Sequence, residues 1–136
     1  MQAFFERMRD GLAAHPRFAA LGFGLLAATG FQPLQLWPLA MAGLAGLIWI
    51  GRSAGNWREA LLRGWLFGLA HFTLTNNWIA TAFTYQAEMP AILGWAAVPL
   101  LSVYLAVYPA LAVLAAHLLA RGKPIPVWSL AFAGSW

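Results

Sequence analysis

Residue types able to do chemistry are few in this chain, and most gather between positions 71 and 84. There stand His71, Thr73, Thr75, Asn76, Asn77, Trp78, Thr81 and Thr84. On a helical wheel Thr73, Asn77, Thr81 and Thr84 share one stripe. His71, Thr75 and Trp78 share another, with Asn76 between them. Hydroxyls and amides at this spacing can bond between helices, or they can line an outward-opening site for a lipid headgroup. The first is the ordinary use of such groups in helical bundles, at about 0.6 kcal/mol per contact, and is favoured. His71 is an ionisable group inside an apolar run, which draws functional suspicion by default. With no carboxylate partner in any run it reads as a neutral, hydrogen-bonded histidine rather than a proton relay.

Tyr104 and Tyr108 lie four apart, just before Pro109. A face shared with neighbouring helices is the plain reading, and contact with lipid or substrate the alternative. The candidate lipid- or helix-contact set is therefore His71, Thr73, Asn77, Trp78, Thr81, Tyr104 and Tyr108. Glu88 is a solvated carboxylate without a partner, so it makes no acid–base pair. His117, one turn before Arg121, reads as interfacial. The chain has no cysteine, which excludes a disulfide, a thiolate metal site and a cysteine nucleophile within these residues. Three scattered histidines suggest no metal site, and no glycine-rich phosphate loop or Ser/His/Asp set is visible. No catalytic, cofactor-binding or metal-binding residue is assigned.

The elements that carry these residues are long apolar runs joined by short links. Hydrophobic residues make up 62% of the chain and charged residues 9%, against about 45–50% and about 25% in soluble domains. So few charges cannot build a water-soluble surface, and lipid is expected to cover much of the chain. The net charge of +4 is no nucleic-acid signal, because the basic residues are not clustered on one solvated face. They fall instead on alternate links: Arg7, Arg9 and Arg17, then Arg52, Arg58 and Arg63, then Arg121 and Lys123. That is the positive-inside pattern, with a cytoplasmic N-terminus. Attraction to anionic headgroups is a secondary use of the same cations.

Residues 1–16 read as an interfacial amphipathic helix through Phe4, Phe5, Met8 and Leu12. A signal peptide ranks lower, since no small-x-small cleavage site follows. Four spans are expected, at about 18–31, 36–50, 59–83 and 91–120. Pro33 ends the first and biases Gln32 away from helix. The fourth, at ~1.5 Å per residue, exceeds the ~30 Å hydrocarbon core, so it must tilt, kink at Pro99 or Pro109, or begin among headgroups. Gly64 and Gly68 form a GxxxG that lets a neighbouring backbone approach. Trp37, Trp78 and Trp95 fall near outer ends, and Trp49, Trp57, Trp65 and Trp128 near inner ones, as in an aromatic belt. A fifth apolar run follows Lys123-Pro124 and stops at Trp136. A helix ending there would leave carbonyls unsatisfied in lipid. The expectation is an all-α, multi-spanning helical membrane bundle: four spans plus the start of a fifth, forming the front piece (residues 1–136) of a longer protein.

Several short signatures in this order resemble the N-terminal membrane part of bacterial apolipoprotein N-acyltransferase. They are Gly30-Phe31 with Pro33, then Trp37-Pro38-Leu39-Ala40; Gly64-Trp65 with Phe67-Gly68; Asn77-Trp78-Ile79; Met89-Pro90; and Tyr104 with Tyr108-Pro109. Trp136 sits where that family begins a further helix with a Trp-Glu-Arg pattern. Ala87-Glu88 departs from the Gly-Gly the family often has before Met-Pro. The resemblance implies a membrane domain of the bacterial inner membrane that carries a nitrilase-like domain on the periplasmic side. There a Glu-Lys-Cys triad takes an acyl chain from a phospholipid as a thioester. The triad then passes the chain to the α-amino group of a lipoprotein's diacylglyceryl-cysteine. Such covalent catalysis splits one hard transfer into two easier ones. No triad member can be assigned here. Cysteine is absent, Glu6, Glu59 and Glu88 belong to the membrane part, and Lys123 falls on the inner side. The chain alone is therefore expected to be inactive.

Two other classes compete. A transporter fragment would place charged or interrupted helices near the midplane, and no Asp, Glu, Lys or Arg lies deep in a span. A small structural membrane protein, complete as written, conflicts with the unfinished fifth run.

Overall fold

Prolines and asparagines decide where the apolar runs become helices. In the computed structural model, which describes residues 1–31, 33–85 and 90–136, all regular structure among the described residues is helical. Pro16 has no N–H to donate, so it ends α1 (Gln2–Ala14) and opens α2 (Pro16–Ala28) as a first-turn residue. A turn follows, closed by the Leu36 N–H on the Thr29 carbonyl at 2.9 Å and the Gln35 N–H on the Phe31 carbonyl at 3.0 Å. Gln35 takes the left-handed conformation there (φ 51°). Then come α3 (Trp37–Arg52) and α4 (Trp57–Thr75). Asn56 caps α4: its side-chain oxygen accepts the Glu59 N–H at 2.9 Å, and Glu59 places negative charge in the first turn.

The expected third span is not one helix. It divides at Asn76-Asn77 into α4 and the short α5 (Trp78–Phe83). Short polar side chains compete for backbone partners and weaken a helix interior. Here the turn tightens: Ile79 N–H bonds the Asn76 carbonyl and Ala80 N–H the Asn77 carbonyl, each three residues back, at 3.0 and 3.1 Å. The fourth span divides into α6 (Ala91–Leu105) and α7 (Val107–Ala120). The break lies one turn ahead of Pro109, which cannot donate to the Leu105 carbonyl. Taken through this kink, Ile92–Ala120 is long and apolar enough to cross a membrane, with mean hydropathy 2.0. It alone meets both criteria among the described residues. The last run forms α8 (Ile125–Ser135). Gln32, Ala87, Glu88 and Met89, on which the expected outer links partly rested, lie outside the described residues.

α4 is the centre of the arrangement. α2 packs on one side of it and α7 on another, α3 lies against α2, α8 against α7, and α5 against α6. Small residues make these approaches close. A Cβ added to Gly64 would stand 2.6 Å from the Pro109 carbonyl oxygen and 2.8 Å from the Ala110 Cα. One added to Gly68 would stand 2.8 Å from the Ala106 Cα. The GxxxG thus meets the first turn of α7. The core is correspondingly rich in alanine, with Leu47, Ile50, Phe67 and Val113 as larger members.

Two expectations of an interfacial side chain fail. Trp128 is 1% exposed, stacked on Phe132 with ring centroids 5.8 Å apart. His117 is 2% exposed. The reason is that α8 returns onto α7 and the end of α3, where Gly51 leaves room for the Trp128 ring. Both side chains are buried rather than interfacial.

Candidate functional site

The two ends of α4 differ in chemistry. Its first turns are charged. The Arg17 guanidinium at the start of α2 bonds the Glu59 carboxylate. Arg63, one turn further and 7% exposed, donates from Nη1 to the Ile50 carbonyl (2.7 Å) and to Ser53 Oγ (3.1 Å). Its Nε lies 3.6 Å from the other Glu59 oxygen. Arg52 Nε donates to the Lys123 carbonyl (3.3 Å) and Arg121 Nη2 to the Gly55 carbonyl (3.4 Å). The cations of three separate links, spaced across the sequence, therefore meet at one end and tie α2, α3, α4 and the α7–α8 link together. Sequence reading missed this network; the i,i+4 spacing of Glu59 and Arg63 is the signal that could have marked it, whereas nothing local points to the partners on α2 and α3.

The other end of α4 lies ~28 Å away along its axis. There a pocket of about 340 Å³ is lined by Phe31, Leu34, Thr75, Asn77, Trp78 and Thr81, with Ala28, Pro33 and Leu74. It draws members from both expected stripes, because the tight turn at Asn76-Asn77 rotates α5 relative to α4. Thr73 is exposed and is not among its lining residues. The hydroxyls nearby bond within their own segment: Thr75 Oγ1 to the His71 carbonyl (3.0 Å) and Thr84 Oγ1 to the Thr81 carbonyl (2.6 Å). Asn76 Nδ2 is buried without a partner among the described residues.

His71 sits deeper, in an aromatic surround. Its ring stacks on Phe67 (6.0 Å, 7°) and meets Phe31 and Phe72 edge-on at 5.5 and 5.1 Å. Its Nδ1 is buried and has no hydrogen-bond partner among the described residues, while the ring, as expected of a hydrogen-bonded histidine, has a backbone partner at Gly24 of α2. The same ring borders an apolar pocket of about 490 Å³, lined also by Met41, Leu44, Phe132 and Trp136. Phe31 belongs to both pockets, a role that sequence reading missed, since only its contact with α4 reveals it.

Tyr104 and Tyr108 pair edge to face (6.2 Å, 90°) but are exposed, not turned toward neighbouring helices. The reason is register. Ala106, Pro109 and Ala110 take the face that meets the α4 glycines, which turns the tyrosine stripe outward. Among the described residues no three His, Cys, Asp or Glu side chains gather as metal ligands would.

Residues 23–136 match the family described as the apolipoprotein N-acyltransferase N-terminal domain. The chain is similar to the apolipoprotein N-acyltransferase of Ralstonia nicotianae, 35% identical over 90% of this chain and 24% of that protein. It is also similar to those of Rhodopseudomonas palustris (34% identical, 82% of this chain, 22% of that protein) and Bordetella bronchiseptica (37%, 78% and 19%). The chain thus spans a quarter or less of the length of these curated relatives.

Proposed function

The chain belongs to the apolipoprotein N-acyltransferase family, as its N-terminal domain, and from that premise we propose that it is the multi-pass membrane portion of such an enzyme. In this reading α2, α3, α4 with α5, and α6 with α7 cross the bacterial inner membrane. The basic end lies in the cytoplasm and the pocket of Thr75, Asn77, Trp78 and Thr81 at the periplasmic side. The observation that supports it is polarity: charge gathers at one end of α4 and an uncharged polar pocket lies at the other. Cations resist translocation and remain inside.

The reaction assigned to the whole enzyme moves a phospholipid acyl chain to the N-terminal diacylglyceryl-cysteine of a lipoprotein. The nucleophile implied by the family resemblance is a cysteine, and these residues contain none. The membrane portion then contributes position. It holds the catalytic domain against the bilayer, and its outer pocket, open between the α2–α3 turn and α5, is where lipidated substrates enter from the side. His71, Thr73, Asn77, Trp78, Thr81, Tyr104 and Tyr108 are the lipid- or helix-contact residues of this proposal.

Single cysteines test the orientation in this cysteine-free chain. Thr84→Cys is expected to react with an impermeant maleimide on intact spheroplasts, and Lys123→Cys only after lysis. Labelling of both from one side refutes the topology. In a mixture of phospholipid and diacylglyceryl peptide the chain alone is expected to show no acyl transfer; turnover would refute the assignment of chemistry to another part of the enzyme.

A further inference from the structure

A second groove lies away from the outer pocket, between the first turns of α4 and the start of α7. It holds about 510 Å³ and is lined by Trp57, Arg58, Leu61, Trp65, Val107 and Leu111 among others. Trp57, Val107 and Leu111 are exposed, so the groove opens outward rather than into the core. Arg58 is its only charged lining residue. The Arg58 guanidinium stands 5.3 Å from the Trp57 ring centroid and has no hydrogen bond or carboxylate partner among the described residues. The neighbouring cations are occupied differently: Arg63 and Arg17 share Glu59, and Arg52 and Arg121 hold backbone carbonyls.

We propose that this groove is a binding site for one anionic phospholipid of the inner leaflet, its phosphate on Arg58 and an acyl chain along Leu61, Trp65, Val107 and Leu111. The lining has the polarity of a single amphiphile. One cation stands at the end of α4 where the other cations gather, and from there to Trp65, ~10 Å along the helix, the wall is apolar. A partner helix from another protein would meet an apolar wall with an unneutralised guanidinium at its edge, a costly arrangement. A lipid phosphate satisfies the guanidinium with paired charge-assisted hydrogen bonds. A zwitterionic headgroup fits less well. Glu59, the only described carboxylate near Arg58 in sequence, is already shared by two arginines, leaving little to receive an ammonium. The site would anchor the inner end of α4 against α7. It stands at the opposite end of α4 from the outer pocket, so its lipid is a structural one and not the acyl donor.

The inference rests on the membrane reading, and the test separates the two. The chain is placed in nanodiscs of phosphatidylcholine holding a minor fraction of brominated phosphatidylglycerol, or the same fraction of brominated phosphatidylcholine. The difference in fluorescence quenching between the chain and its Trp65→Phe variant isolates the groove. Brominated phosphatidylglycerol is expected to be about fivefold more effective at that position. Arg58→Gln is expected to remove the preference, Arg58→Lys to retain part of it, and Arg52→Gln to leave it unchanged. Added salt should weaken the preference without changing quenching by phosphatidylcholine. Equal quenching by the two lipids overturns the site. So does an equal loss from Arg52→Gln and Arg58→Gln, which would mean diffuse surface attraction. Quenching by neither lipid, with the chain outside the bilayer, overturns the membrane reading as well.

Discussion

Gly64→Ala is the sharpest test of how α4 meets α7. The added methyl would stand 2.6 Å from the Pro109 carbonyl oxygen and 2.8 Å from the Ala110 Cα. Both are backbone atoms, so no side chain can rotate away. Restoring ordinary contact requires the helices to part by roughly 0.8 Å, and overpacking of this kind costs about 1–3 kcal/mol. Alanine favours the helix over glycine by about 1 kcal/mol, which offsets part of the cost. The expected net loss is up to about 2 kcal/mol. The control is Gly22→Ala in α2, where an added methyl meets nothing within 4 Å. There only the propensity acts, and a gain of up to about 1 kcal/mol is expected. Thermal or SDS unfolding in detergent micelles reads both. If the two variants shift stability in the same direction, the close approach of Gly64 to α7 is wrong.

Other outcomes follow from the same structure. Arg63→Leu removes the charged donor shared by the Ile50 carbonyl and Ser53 Oγ, leaves that carbonyl only the Ser53 hydroxyl, and should cost about 2 kcal/mol in the same unfolding assay. Trp128→Ala empties the largest buried side-chain position and should cost about 3–5 kcal/mol; a neutral result would return Trp128 to the surface. In the full-length enzyme, Trp78→Ala should lower kcat/KM for acyl transfer about fivefold, equivalent to about 1 kcal/mol of lost apolar contact.

What the amino-acid order determined by itself was local or compositional. A chain with 9% charged residues and recurring prolines is expected to fold as helices that satisfy their own backbone, interrupted where a proline lacks a donor; the sequence left Pro99 and Pro109 as alternatives in the fourth run, and the structure carries α6 through Pro99 and breaks ahead of Pro109. The recurrence of Arg and Lys on alternate links likewise foretold that they would meet at one end. The GxxxG marked a close approach but not its partner. Only the tertiary structure chose Pro109 and Ala110 as that partner. It also turned α8 back over His117 and Trp128, and faced Tyr104 and Tyr108 outward. It joined Phe31 to Asn77 and Trp78 around one pocket. The physical reason is that helices apolar on every side, such as α6 and α8, carry little periodic signal for which face is inward. Their orientation is decided by the fit of small residues against distant backbone, a property of pairs of segments that neither segment holds alone.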